Sequence, residues 1–429
     1  MPATPATSEV PLTYEGDSLQ QFSEVPDARG RRVALLAVHH VEVDGTTYTG
    51  GAEKYILTTL QALLDAGASV HVGYSGTSIY APLLEAVDPR RLTVERTGWI
   101  NDVLAGDGRL RIKTIRERRR WLRATGADTV FAVQQANGGA FAASIAAAKL
   151  LGFRVVASIR QPCEPLPRSP GRKWLGIVPS PEIWRRRLLW RRQIPARLCD
   201  ALIYNSRQVA DSYAAEYGFP SNRAWIVHNG EFPQPDDLPP FHNPLRIGAV
   251  GRVTRAKGAD TLMEAFTKIA RRHPECSLTY FGDGELIQQL SAQASAHGLG
   301  DRVTFVGHMH NRDQIYSQVD ILAQLSRRES MANSVIEAMA RGIPAVVSNV
   351  GGMSEAVVDG QTGLIVPPED VNAATHALNA LLDAGDRYTC MSEAALSRAR
   401  DHFDIRRLMR DTVETILGIG AWSPRGQSF

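Results

Sequence analysis

Glu329 and Glu337, eight residues apart, bracket the run Ser330-Met331-Ala332-Asn333-Ser334, and helical spacing is expected from Ser334 to Arg341. A helix start presents unpaired backbone N–H groups and the positive end of the peptide dipole, which suits a diphosphate. Carboxylates flanking such an anion site can accept hydrogen bonds from hydroxyls, as ribose and hexose recognition requires. The alternative for the pair is a solvated or capping role. Upstream, Gly251-Arg252 and Lys257-Gly258 follow a strand and bring a planar guanidinium and a compact ammonium near its end. A departing nucleoside diphosphate needs both kinds of neutralisation. Arg255, between them, reads as a solvated surface cation.

Further candidates stand at strand ends in the first half. Gly50-Gly51-Ala52-Glu53 precedes the first helix, and backbone without side chains approaches phosphates closely, although glycine pairs also serve plain turns. His39 and His40 close the first strand, Gln134-Gln135 a later one, and Arg160 stands just past Ser158-Ile159. His39, His40, Gln135 and Arg160 are the acceptor candidates; the alternatives are satisfied loop histidines and a structural ion-pair arginine. Asp-x-Asp and His/Cys clusters at ligand spacing are missing, so neither a metal nor another cofactor is expected. Gly282-Asp283-Gly284 falls short of a dinucleotide fingerprint, which argues against a nicotinamide oxidoreductase.

The elements that must position these groups follow an α/β alternation. Strands are expected at Val33–Val38, Ser69–Tyr74, Thr129–Val133, Arg154–Ile159, Ala201–Tyr204 and Trp225–His228, with a helix at Ala52–Ala66. The stretch Glu231–Pro244 is proline-rich and continues neither helix nor central strand. After it the pattern restarts with strands at Leu245–Val250, Ser277–Phe281, Arg302–Val306, Ile321–Gln324 and Ala345–Ser348, and a last helix at Ile405–Leu417. The expected division is a disordered leader over 1–28, a Rossmann-like acceptor domain over 29–232, a linker over 233–244 and a Rossmann-like donor domain over 245–404. A C-terminal helix over 405–420 is free to pack on either domain. The fold class is α/β: two facing, doubly wound parallel-sheet domains with an interdomain cleft at their strand ends.

At 429 residues the chain exceeds one typical core. Its 44% hydrophobic and 22% charged residues exclude wholesale disorder and a membrane-spanning class. Cys163, Cys199, Cys276 and Cys390 have no paired spacing, which fits a reducing cytoplasm. Net charge is +3, with the basic excess in the first half. Residues 109–123 and 168–197 mix Arg with Trp and Leu, which suits the inner face of an anionic membrane; the alternative is a cationic helix whose apolar side lies in the core. Nucleic acid is not an expected partner.

The ordered set from Glu329 onward, Glu-x7-Glu, Glu337-Ala338-Met339-Ala340, Gly342-Ile343-Pro344, a strand and Gly351-Gly352-Met353-Ser354-Glu355, resembles glycosyltransferase family 4. The resemblance runs from about Val33 to Leu417, densely in the second half. It implies the GT-B fold and retaining, metal-independent transfer of a hexose-type sugar from a UDP- or GDP-sugar to a glycan, lipid-linked or small-molecule acceptor. By the same resemblance Glu337 takes the ribose and Glu329 the hexose. Arg252 and Lys257 take the phosphates, Gly50 and Gly51 admit the donor, and Met331, Ala332, Asn333 and Ser334 line it. Glu329, Arg252 and Lys257 would then carry catalysis. Two departures stand out. Ser158–Pro162 holds no His where many members place one, and Glu231 and Phe232 stand where others often have Val and Asp. The competing readings are a catalytically silent sugar-nucleotide binding protein and a nucleotide-sugar epimerase or sugar phosphorylase of similar architecture.

Overall fold

The computed structural model describes residues 22–38, 51–75, 87–97, 112–134, 142–165, 186, 189, 193–234, 245–309 and 311–419. Thirteen strands among them form two sheets. The first holds β1 (Arg32–Val38), β2 (Ser69–Ser75), β3 (Leu92–Arg96), β4 (Thr129–Gln134), β5 (Arg154–Ile159), β6 (Ala201–Tyr204) and β7 (Ala224–Ile226), in the order β3-β2-β1-β4-β5-β6-β7. The second holds β8 (Arg246–Val250), β9 (Ser277–Phe281), β10 (Val303–Gly307), β11 (Ile321–Gln324), β12 (Ala345–Ser348) and β13 (Gly363–Val366), in the order β10-β9-β8-β11-β12-β13. Every pair in the second sheet is parallel.

A parallel sheet carries helices on both faces, so its strands are buried on both sides. In the second sheet Ile247, Leu278, Tyr280, Ile321, Ala323 and Val346 belong to one apolar cluster. Phe281, Leu322, Ala345 and Val347 belong to another. The alternation follows the two-residue period of a strand. Helices Ala259–Arg272 and Val371–Leu382 cover the first face, and Asn333–Met339 and Asp386–Phe403 the second.

The chain divides into two compact units, one of Met1–Ser158, Trp190–Leu202 and Met409–Trp422, the other of Ile159–Leu189, Ile203–Leu408 and Ser423–Phe429. From Met409 onward the last helix, Ile405–Leu417, groups with the first unit. There Arg154 donates to the carbonyls of Ile416 (3.0 Å) and Thr415 (2.9 Å), which a helix end leaves without intrahelical partners.

The structure corrects several expectations. Residues 22–28 are not a disordered leader: Phe22 is 2% exposed and its N–H meets Asp65 at 3.1 Å. Strands β3 and β13 were not foreseen. Both are short edge strands; β3 buries only Leu92 of five residues, and β13 is closed by Pro367. The helix expected over Ser334–Arg341 runs from Asn333 to Met339, and the strand expected at Trp225–His228 is Ala224–Ile226.

In the first basic stretch, helix Ile112–Thr125 fully buries Leu122. Its Trp121 meets the His71 ring edge-on at 5.2 Å and donates its indole N–H to Glu95 at 2.7 Å. The apolar side of this helix therefore lies on β2 and β3, as the core alternative requires. Most of 168–197 lies outside the described residues. No helix among the described residues is long and apolar enough to cross a membrane.

Candidate functional site

In an open parallel sheet, ligands bind beyond the carboxyl ends of the strands, where the strand order reverses. In the second sheet that point lies between β8 and β11, and a pocket there is lined by Val250, Gly251, Arg252, Lys257, Tyr280 and Gln324, among others. Arg252 is exposed, and its side chain makes no ion pair among the described residues. Its loop is tied down by backbone. Gly251 N–H donates to the Phe281 carbonyl at 2.9 Å, and Val253 N–H to that of Asp283 at 2.9 Å. The Gly282-Asp283-Gly284 run thus braces the Arg252 loop.

Lys257 ends a single 3₁₀ turn, Arg255–Lys257, whose N-cap Thr254 accepts the Lys257 N–H. Arg327 secures the same turn. Its N–H donates to Ala256 (2.9 Å), and its guanidinium to the Arg255 carbonyl, to Asp260 (2.6 Å) and to Glu369 (2.6 Å). The arginine lowers the Asp260 pKa against the upward push of burial. Arg255 itself is exposed, as expected of a solvated cation.

Lys257 Nζ and Glu329 form an ion pair, the lysine side chain 28% and the glutamate 12% exposed. The phosphate candidate and the hexose candidate therefore meet directly. Ser330 Oγ, next in sequence, donates to the Arg160 carbonyl (2.8 Å) and accepts from Asn205 (3.0 Å). The Met331 carbonyl accepts from Asn229 (3.0 Å), which in turn accepts from the Arg160 guanidinium at 2.9 Å. Arg160, 7% exposed, thus braces the loop between the two glutamates. Met331 and Ala332 are buried, and Asn333 opens the helix behind Ala332, whose side chain supplies no cap. Ser334 donates to Gln324 at the end of β11 (3.0 Å).

Glu337 does not line the Arg252–Lys257 pocket. It is 8% exposed; one oxygen takes the Tyr316 hydroxyl at 2.9 Å, and the other faces Arg312 Nε at 3.4 Å. Burial, then the Glu337 charge, hold the Tyr316 phenol well above its ordinary pKa, so it stays a donor. Arg312 also reaches Glu231 at 3.2 Å.

Glu355 closes the Gly-Gly-x-x-Glu run. Its carboxylate takes the His228 ring nitrogen (3.0 Å) and the N–H groups of Arg207 and Gln208, both 2.9 Å, at the start of helix Arg207–Tyr217. Burial pushes its pKa up, but these hydrogen bonds outweigh it and the net shift is downward. A depressed carboxylate stabilises the fold above its unfolded value of about 4.3, and that contribution is lost as pH falls through the folded value. Glu355→Gln is therefore expected to lower stability by about 1.5–3 kcal/mol at pH 7, the worth of hydrogen bonds to a charged group, and by less near pH 3, on the way down through the folded value. Urea unfolding at both pH values checks this; an equal gap at the two would contradict it.

Gly51 opens helix Gly51–Asp65 in the first unit and is exposed. Gly50, His39, His40 and Gln135 lie outside the described residues. The sequence reading missed Arg312, Tyr316, Arg327 and Gln324. Nothing in the spacing could have found Tyr316 or Arg312, which stand 21 and 25 residues before Glu337 in an unremarkable stretch.

Two family descriptions match nearly adjoining halves of the chain: "Glycosyltransferase Family 4" over residues 49–230 and "Glycosyl transferases group 1" over 233–398. Glycogen synthase of Mycobacterium tuberculosis is 31% identical over 180 residues, 42% of this chain and 44% of that one. Mannosyltransferase LpsB of Rhizobium meliloti is 30% identical over 38% of this chain and 49% of its own. Each alignment thus spans less than half of the relative. D-inositol 3-phosphate glycosyltransferase of Xylanimonas cellulosilytica matches at 28% over 88% of this chain and 94% of its own. The crystal structure of Anabaena HepE in complex with UDP superposes with a TM-score of 0.68 at 19% identity, covering 90% of this chain and 100% of that one. A glycosyltransferase from Rickettsia africae gives 0.70 at 15%, covering 91% and 99%. With both halves matched by glycosyltransferase families and both sheets superposing on solved glycosyltransferases, the chain belongs to glycosyltransferase family 4 and has the GT-B fold.

Proposed function

We propose that this chain is a retaining glycosyltransferase that moves a hexose-type sugar from a UDP- or GDP-sugar to a glycan, lipid-linked or small-molecule acceptor. The observation that carries the reading is the Lys257–Glu329 ion pair beside Arg252 at the strand-order reversal of the second sheet. A nucleotide sugar needs cations for its diphosphate and an acceptor for its sugar hydroxyls, and these side chains supply both in one place. As the bond from the anomeric carbon to the phosphate oxygen breaks, negative charge grows on the diphosphate. Arg252 and Lys257 stabilise it, and in this reading no metal ion is required. Glu329, drawn off Lys257 by the incoming diphosphate, becomes available to the hexose. Neighbours of the same fold support the donor class, since HepE is described in complex with UDP and with UDP-glucose. The reading places the enzyme in the cytoplasm.

Purified protein incubated with UDP-, GDP- and ADP-sugars is expected to consume one UDP or GDP donor, with proton NMR showing a product of the donor's anomeric configuration. An inverted product would remove the retaining step. Binding without consumption of any donor would favour a silent sugar-nucleotide binding protein, and an altered sugar still attached to its nucleotide would favour an epimerase.

A further inference from the structure

Glu231 is 5% exposed. A carboxylate so buried is strongly destabilising unless paired. Its partner is Arg312, at 3.2 and 3.3 Å, and the same guanidinium faces Glu337 at 3.4 Å. Glu231 is itself fixed by backbone: its N–H donates to the Phe403 carbonyl (2.9 Å), and its carbonyl accepts from Ile405 N–H (3.0 Å). Arg312 lies at the first turn of the short helix Arg312–Tyr316, so one element delivers both groups that hold Glu337, the guanidinium to one oxygen and the Tyr316 hydroxyl to the other.

We propose that Arg312, anchored by Glu231, is a positioning residue that sets the plane of the Glu337 carboxylate for the vicinal 2′ and 3′ hydroxyls of the donor's ribose. The inference rests on the donor reading above. A carboxylate hydrogen-bonded at one oxygen and ion-paired at 3.4 Å through the other is restrained in rotation, and with about four acceptor sites it is suited to a diol arriving as two further donors. The nucleotide is thereby oriented along its length, its ribose diol at the Glu337 carboxylate and its phosphates at Arg252 and Lys257. The arginine's side chain is 39% exposed, so substitution does not leave a large internal cavity.

The test is calorimetric binding of UDP and GDP against their 2′-deoxy counterparts. The full-length wild type is expected to prefer one ribonucleotide over its deoxy form by about tenfold or more, the worth of a hydrogen bond to a charged group. Arg312→Leu should reduce that preference to less than about threefold while leaving the deoxy affinity nearly unchanged, and Arg312→Lys should recover part of it. Because Arg312→Leu strands the buried Glu231, Glu231→Leu/Arg312→Leu, which removes both charges, is measured beside it and should show the same flattened preference. A merely structural role would weaken ribo and deoxy forms equally; that result, or an unchanged ratio in either variant, would overturn the proposal. So would a wild type that binds both forms alike. A wild type that binds neither UDP nor GDP would instead bring down the donor reading on which it stands.

Discussion

Replacing Lys257 with Met is expected to lower kcat/KM for transfer by about 10²–10³-fold, the loss seen when one preorganised donor to developing negative charge is removed. Lys257 lines the pocket at the β8–β11 reversal and is held there by the turn that Arg327 and Thr254 secure. The same change deprives Glu329, whose side chain is 12% exposed, of its ion-pair partner. Stability should fall by about 1–2 kcal/mol, between the values for exposed and fully buried pairs. Lys257→Met/Glu329→Gln separates the two effects. With no carboxylate left uncompensated, the unfolding midpoint should return most of the way to wild type while transfer stays as low as in either single variant. Restored activity in the double variant would mean that the lysine acts only by pairing with Glu329.

Gly351→Ala is expected to damage stability and catalysis together. A Cβ at that position would lie 2.0 Å from the Glu329 carbonyl oxygen, and the backbone there has φ +56°, the left-handed region. The conformation alone costs about 1–2 kcal/mol for a residue with a side chain. The clash is with backbone, which no rotamer change relieves, so the Glu329–Ser330 segment must shift by about an ångström. A displacement of that size in a catalytic constellation costs on the order of 10²-fold in rate. The control is Gly298→Ala, at φ +67° with open space around it, which carries the conformational cost without the collision. Thermal unfolding and steady-state kinetics on both variants check this. If Gly298→Ala and Gly351→Ala lose the same stability and neither loses rate, contact with Glu329 is irrelevant.

The close approach of Gly351 to Glu329 also joins two runs of this chain. Gly352 N–H donates to the Ser330 carbonyl at 2.5 Å, and Glu355 ties the following turn to the start of helix Arg207–Tyr217. The Glu-x7-Glu run and the Gly-Gly-x-x-Glu run are one physical unit, with the second forming the floor on which the Glu329 loop rests.

The linear chain was enough to settle the interior strands, because parallel strands covered on both faces are continuous apolar runs: Arg154–Ile159, Ala201–Tyr204, Ser277–Phe281, Ile321–Gln324 and Ala345–Ser348 lie where their composition puts them. Arg252, Lys257 and Glu329, singled out from short motifs that follow strands, are brought together by the fold at one edge of the second sheet, where such motifs converge. Edge strand β3 escaped notice because a half-exposed strand loses that apolar signal. The partners of those side chains belong to the tertiary structure alone. Lys257 lies 72 residues from Glu329, Arg312 lies 81 from Glu231, and Arg160 lies 170 from Ser330. A residue's type limits what it can bond, but only the packing of distant segments determines which buried charge meets which, since each must find compensation wherever the folded chain has placed it.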